Sequence, residues 1–198
     1  MAGLETASLS ESASRGAVVW ITGLSGSGKS TFMSRLAVAL RKSGMEPIQL
    51  DGDDLRLLLR TEAKGYSYTE RVALGYQYGD LCHYLAKQGH VVLIATIALF
   101  HEIHARNRVT FANYIEVFMD TPEEVLLQRD SKGLYAGHAK GEVKQVVGLD
   151  WAAEMPKVPD LSVTPDEDSQ RDAVEVVARR LSEIKGHLSE RGGAPDDT

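Results

Sequence analysis

Short apolar runs and longer stretches of helical period alternate along this chain. Ala17-Val18-Val19-Trp20-Ile21 and Val91-Val92-Leu93-Ile94 carry no polar face, the mark of strands buried on both sides. The strand candidates are 17–22, 47–50, 91–96, 114–119 and 160–163. Phe32, Leu36, Ala39 and Leu40 recur at helical spacing, and the helical candidates are 29–43, 52–60, 69–88, 100–112, 121–129 and 167–188. Thr121-Pro122-Glu123-Glu124 reads as a helix start, with a Thr cap, proline in the first turn and acidic residues facing the positive end of the dipole. This order predicts an α/β fold, a parallel sheet flanked by helices. From about 130 to 159 the period disappears while Gly133, Gly137, Gly141, Gly148, Pro156 and Pro159 accumulate. A connection that long in a compact domain is read as a mobile lid.

Chemistry concentrates where the first strand meets the first helix. Residues 23 to 31 read Gly-Leu-Ser-Gly-Ser-Gly-Lys-Ser-Thr, a complete phosphate-binding loop in which Gly23 is followed after four residues by Gly28-Lys29-Ser30. Gly23, Gly26 and Gly28 let backbone N–H groups turn inward around an anion. Ser25, Ser27 and Thr31 belong to the expected ATP-binding set, as do Arg129 and Lys132 further along the chain, and the helix N-terminus itself favours negative charge. Lys29 is expected to reach the outer phosphates and the Ser30 hydroxyl to ligate Mg²⁺.

The second strand ends in Leu50-Asp51-Gly52-Asp53-Asp54-Leu55-Arg56. In an open parallel sheet ligands sit beyond the carboxyl ends of the strands, so Asp51 and Asp53 fall on the same rim as the loop. Either carboxylate, Asp51 or Asp53, can accept a proton from an attacking hydroxyl or hold water on the metal, and Arg56, one helical turn later, can face an anionic acceptor. The competing role for such an aspartate is to cap the helix that follows. Further on, Arg129 is placed to stack on a base or meet a phosphate, and Lys132 to close over the transferring group. His101 and His104 have a spacing that a helix-borne metal site could use, but no third convergent ligand is evident. Among Tyr66, Tyr68, Tyr76 and Tyr78, only Tyr66, between Gly65 and Ser67 in a turn, stands out as a candidate stacking face.

Composition narrows the partners. Hydrophobic residues make up 43% and charged residues 25% of 198, the balance of an ordinary globular domain. A net charge of −6 argues against nucleic acid as a partner, because backbone-phosphate binding needs a basic surface. Cys82 is the single cysteine, read as a core thiol, so no intramolecular disulfide is expected. The first 16 residues are polar and Ser-rich without the apolar core of a leader, and no run is long enough to span a bilayer. The expectation is a cytoplasmic protein with no membrane partner.

Taken in order, these segments resemble the adenylylsulfate kinases. The resemblance rests on 23–31, 50–56, Gly65-Tyr66-Ser67 followed by Arg71, and Ile115-Glu116-Val117-Phe118 with Asp120-Thr121-Pro122. It continues through Arg129-Asp130, Gly133-Leu134-Tyr135, Gly141-Glu142-Val143-Lys144 and Gly148-Leu149-Asp150, and covers about residues 17 to 165. It implies a P-loop kinase fold, ATP and Mg²⁺, and transfer of the γ-phosphate to the ribose 3′-hydroxyl of a sulfated adenine nucleotide. It also implies that Asp53 is the base, that Arg56 and Arg71 hold the acceptor's anionic part, and that Ile97, Lys144 and Val146 lie on the acceptor side.

Departures from the family pattern fall on that acceptor side. Leu74 and Gly75-Tyr76-Gln77 replace an Asn followed by Ile-Arg-Arg, and Ile97-Ala98-Leu99 replaces Ile-Ser-Pro. Val146 stands where an aromatic would stack on the acceptor base, which makes Tyr66 the sole expected stacking face. Two acceptors are therefore expected in alternative, adenylylsulfate itself or another anionic nucleotide such as a pyrimidine conjugate. A P-loop ATPase switch or nucleotide sensor is the alternative of another class. Against the switch, Ile94-Ala95-Thr96 lacks a strand-end carboxylate, and no Asn-Lys-x-Asp guanine signature occurs. The expected organisation is a flexible extension over 1–16, a kinase domain over 17–188 with its lid at 130–159, and a flexible tail over 189–198. The expected partner is a small nucleotide, with a homodimer as the assembly to look for.

Overall fold

The computed structural model describes residues 16–60, 67–130 and 133–191. Strands β1 (Ala17–Thr22), β2 (Ile48–Asp51), β3 (Val91–Thr96), β4 (Tyr114–Met119) and β5 (Leu161–Val163) form one parallel sheet in the order β2-β3-β1-β4-β5. Strand β1 lies in the middle, Ala17 pairing with Val91 of β3 and Val18 with Tyr114 of β4. Successive side chains of a strand point to opposite faces, and here both faces are covered. Val19 and Ile21 pack with Phe32 and Leu36 of α1 (Lys29–Lys42) and with Val177 and Leu181 of α7 (Glu167–Arg191). Val18 and Trp20 pack with Val72 and Cys82 of α3 (Tyr68–Lys87) and Ile103 of α4 (His101–Thr110). The unbroken apolar runs thus follow from burial on two sides. Burial pushes the Cys82 thiol up to about 12, so it remains a protonated core group.

Strand β2 ends on Asp51, which is also the N-cap of α2 (Gly52–Leu58), its side chain accepting the Asp53 N–H at 2.9 Å. A capping box opens α3, with Ser67 and Glu70 exchanging side-chain and backbone hydrogen bonds. Helix α5 (Glu123–Arg129) departs from its expected start, because the Thr121 hydroxyl makes no cap and donates instead to Ser27 O at 3.2 Å. The segment 130–159, expected without periodic structure, contains α6 (Leu134–Ala139) and a bridge between Val147 and Trp151. Helix α7 runs to Arg191, three residues beyond its expected end.

The two histidines weighed for a metal are engaged separately. His104 Nδ1 lies 2.7 Å from Oε1 of the buried Glu116, whose Oε2 takes Arg108 at 3.0 Å. His101 Nε2 lies 3.0 Å from Met155 O, and its backbone N–H donates to Glu154. Among the described residues no group of three His, Cys, Asp or Glu side chains converges as a metal site. No described helix is long and apolar enough to cross a membrane.

Candidate active site

Leaving β1, the chain enters the loop at Gly23 and meets α1 at Lys29. Gly26 and Gly28 have φ of 79° and 96°, a left-handed region that side-chain-bearing residues rarely adopt, and Gly28 is the N-cap of α1. The first N–H groups of a helix have no acceptor within it, so the loop presents α1 as a positive end. Lys29 Nζ spans the loop, 3.0 Å from Gly23 O and 2.7 Å from Leu24 O. The Ser30 hydroxyl donates to Asp51 Oδ2 at 2.6 Å, bringing two hard oxygen groups together at the carboxyl edge of the sheet. That pair fits Mg²⁺, which takes few protein oxygens and keeps water and phosphate as its other ligands. The left-handed glycines at the head of α1 likewise fit a phosphate chain.

A cleft of about 860 Å³ opens from the loop, within the range of small-molecule sites. Ser25, Gly26, Gly28, Lys29, Ser30, Thr31 and Arg129 line it on the expected ATP side. Asp51 and Asp53 line it next to them, and Arg56, Arg71, Ile97, Lys144 and Val146 line it on the expected acceptor side. Gly23 and Ser27 of the loop are buried and are not among the residues that line the cleft. Tyr66 and Lys132 fall outside the described residues.

Two aromatic residues among those described, Tyr78 and Phe100, line the cleft. Burial pushes the Tyr78 hydroxyl up to about 12, keeping it a donor, and it donates to Gly52 O at 3.1 Å. Val146 is buried, with its N–H donating to Asp150 Oδ2 at 2.8 Å. Arg71 donates to Gln145 O at 2.9 Å and its guanidinium lies 5.6 Å from the Trp151 ring centroid, a cation–π distance. Gln145, a non-glycine at φ 64°, lies in the same stretch of cleft wall. Arg129 reaches Gly26 O at 3.3 Å, and Tyr135 donates its hydroxyl to Ser25 O at 3.0 Å. Sequence reading missed Thr121, Tyr135 and Trp151 as neighbours of the site. Tyr135 offered a signal, since it stands in one of the segments that carry the resemblance.

A glycine-cradled loop closing on a lysine at the carboxyl edge of a parallel sheet, with an aspartate ending the next strand but one, is the arrangement of a P-loop kinase. A sequence model of the Adenylylsulphate kinase family matches residues 15–164. The chain belongs to that family, which is one of phosphotransferases. It is 34% identical over 170 residues to an adenylyl-sulfate kinase of Picosynechococcus sp., covering 86% of this chain and 96% of that one. Against an adenylyl-sulfate kinase of Chloroflexus aurantiacus it is 39% identical over 151 residues, 76% of this chain and 81% of the other. Among solved structures it is similar to the Mycobacterium tuberculosis APS kinase in complex with AMPPNP and APS. There the TM-score is 0.77 and the identity 38%, covering 85% of this chain and 98% of that one.

Proposed function

We propose that the protein transfers the γ-phosphoryl group of ATP to the ribose 3′-hydroxyl of adenylylsulfate or a closely related anionic nucleotide. The observation that carries this reading is one cleft in which the loop and the Ser30–Asp51 pair meet Arg56, Arg71 and Lys144. Three cations on the acceptor side suit a substrate with more than one negative charge. The loop amides and Lys29 bind the phosphates of ATP. Ser30 and Asp51 would hold Mg²⁺, which would supply positive charge to offset that of the phosphates. Asp53 accepts the proton as the acceptor oxygen bonds to the γ-phosphorus, and the bond to the β-phosphate oxygen breaks to release ADP. Residues 130–159 act as the lid that excludes water from this exchange.

Adenylylsulfate supplied with γ-labelled ATP should yield ADP and a labelled nucleotide more acidic than the acceptor. Phosphate release that needs no acceptor would establish an ATPase, and ATP binding without turnover a sensor. The base of the acceptor has a second reading, favoured by Val146 lining the cleft where the family pattern places an aromatic. On that reading a pyrimidine nucleotide is phosphorylated within about tenfold of adenylylsulfate, a gap of roughly 1.4 kcal/mol. Val146→Phe then moves preference toward the adenine compound. Efficient use of adenylylsulfate with no turnover of any pyrimidine nucleotide rules this second reading out.

A further inference from the structure

Five consecutive carbonyl oxygens of the loop are each met by a side-chain donor. Lys29 Nζ takes Gly23 O and Leu24 O at 3.0 and 2.7 Å, while Tyr135 takes Ser25 O at 3.0 Å. Arg129 takes Gly26 O at 3.3 Å and Thr121 takes Ser27 O at 3.2 Å. Lys29 belongs to the motif itself. Thr121, Arg129 and Tyr135 come from the stretch after β4, between 94 and 110 residues further along the chain.

A peptide unit is planar and trans, so a carbonyl and the N–H that follows it point in opposite directions. Holding Ser25 O aims the Gly26 N–H away from Tyr135, and holding Ser27 O aims the Gly28 N–H away from Thr121. Gly26 and Gly28 line the cleft, whereas Tyr135 and Thr121 do not, so both N–H groups turn to the ligand side. The unit between them is reversed, with the Ser27 N–H returning to Leu24 O at 3.2 Å. Glycines could twist to many other arrangements, and donors outside the loop remove that freedom before a ligand arrives. Tyr135 is itself fixed. It is 7% exposed, and the Asp130 carboxylate accepts its N–H at 3.1 Å and that of Ala136 at 2.8 Å.

We propose that Thr121 and Tyr135 are positioning residues for phosphate binding, their hydroxyls presetting two peptide units of the loop from behind. Tyr135 thereby joins α6 to the phosphate cradle. This inference rests on the reading of ATP at the loop given above.

Tyr135→Phe and Thr121→Val each delete one hydroxyl and keep the side chain's shape. Binding of a non-hydrolysable ATP analogue with Mg²⁺ to the full chain should weaken about fivefold in each variant, the weight of one neutral hydrogen bond. The double variant should lose about 25-fold, as independent contacts add. Thr121→Ser keeps the hydroxyl and should bind within about twofold of wild type. The acceptor KM should stay within about twofold throughout, because the acceptor does not touch these peptide units. Unchanged analogue affinity in both variants overturns the inference alone. So does an equal loss of analogue and acceptor affinity accompanied by a fall in Tm, the sign of a merely structural contact. A wild-type protein that does not bind the analogue overturns the ATP reading, and this inference with it.

Discussion

Asp51 serves two neighbours with one carboxylate, Oδ1 capping α2 through the Asp53 N–H and Oδ2 receiving the Ser30 hydroxyl. Asparagine caps a helix as well as aspartate does but binds a divalent cation poorly, so Asp51→Asn separates the two roles. It should keep the fold and raise the Mg²⁺ concentration needed for half-maximal rate. Asp53→Asn should instead lower kcat by about 10²–10⁴-fold with ATP KM little changed, the signature of a lost general base. Steady-state kinetics with ATP and Mg²⁺ varied separately check both, and a collapse of ATP affinity in Asp53→Asn would make it a binding residue instead. The motif residues were legible because their neighbours in sequence are their neighbours in the loop. Thr121 was read as a cap from its local sequence, and only a fold that returns it to Ser27 reveals its partner. A carboxylate in the strand run Tyr114-Ile115-Glu116-Val117-Phe118-Met119 is itself the signal of a buried pair. Burial pushes the Glu116 carboxyl up, but the His104 hydrogen bond and the charges of His104 and Arg108 outweigh it and hold it below its ordinary value. A carboxyl so lowered adds stability above its unfolded pKa of about 4.3, lost as pH falls through the lower folded value. Glu116→Gln should therefore cost about 1–3 kcal/mol at pH 7, the weight of hydrogen bonds to a charged group. Its urea midpoint should also fall less steeply than that of wild type as pH is lowered below about 4.3.

At the scale of elements, every strand and every helix except α6 lies within a few residues of expectation, the three-residue β5 included. Helix α6 has six residues, with Gly133 before it and Gly137 inside it, too short and too glycine-rich to show a period. It exists through tertiary contacts, since a helix this short has no stability of its own. Gly137 packs closely against Val143, and Asp130 accepts two of the first N–H groups of the helix. Asp130→Ala should remove about 1 kcal/mol from α6, the weight of a lost cap, and let it fray. Limited proteolysis should then cut 134–143 faster than in wild type, with an ATP analogue plus acceptor restoring protection. Equal cleavage in variant and wild type would mean that α6 is held by packing alone. Of the cleft lining, Arg56, Arg71, Ile97, Lys144 and Val146 were legible in the sequence, whereas Phe100 and the place of Tyr78 were not. Tyr78 and Phe100 enter it from two separate elements, and which face of α3 looks into the cleft is decided by packing.

Across the whole molecule, the cleft draws its lining from the glycine loop, α1, the end of β2, α2, α3, the end of β3, α5, α6, the stretch 143–147 and the start of α7. The α/β class and the rim position of the site were legible, because parallel strands end on one edge and place their loops together. A ligand that bridges so many elements should stabilise all of them at once. An ATP analogue at 100 times its Kd adds about 2.7 kcal/mol, which for a domain of this size raises Tm by roughly 5–10 °C. Lys29→Ala should fold and lose most of that shift, as differential scanning calorimetry with and without analogue would show. A full shift in Lys29→Ala would place the ligand elsewhere. The strand order carries a further consequence, for biosynthesis. The first strand made is the central one, buried throughout, and its partners β3 and β4 end at Thr96 and Met119. About a hundred residues must leave the ribosome before both edges of β1 are paired, roughly 5–20 s at ordinary rates of synthesis. Through that interval the nascent chain carries a six-residue apolar strand whose edges are not both paired, the kind of surface that exposes an unfinished chain to aggregation.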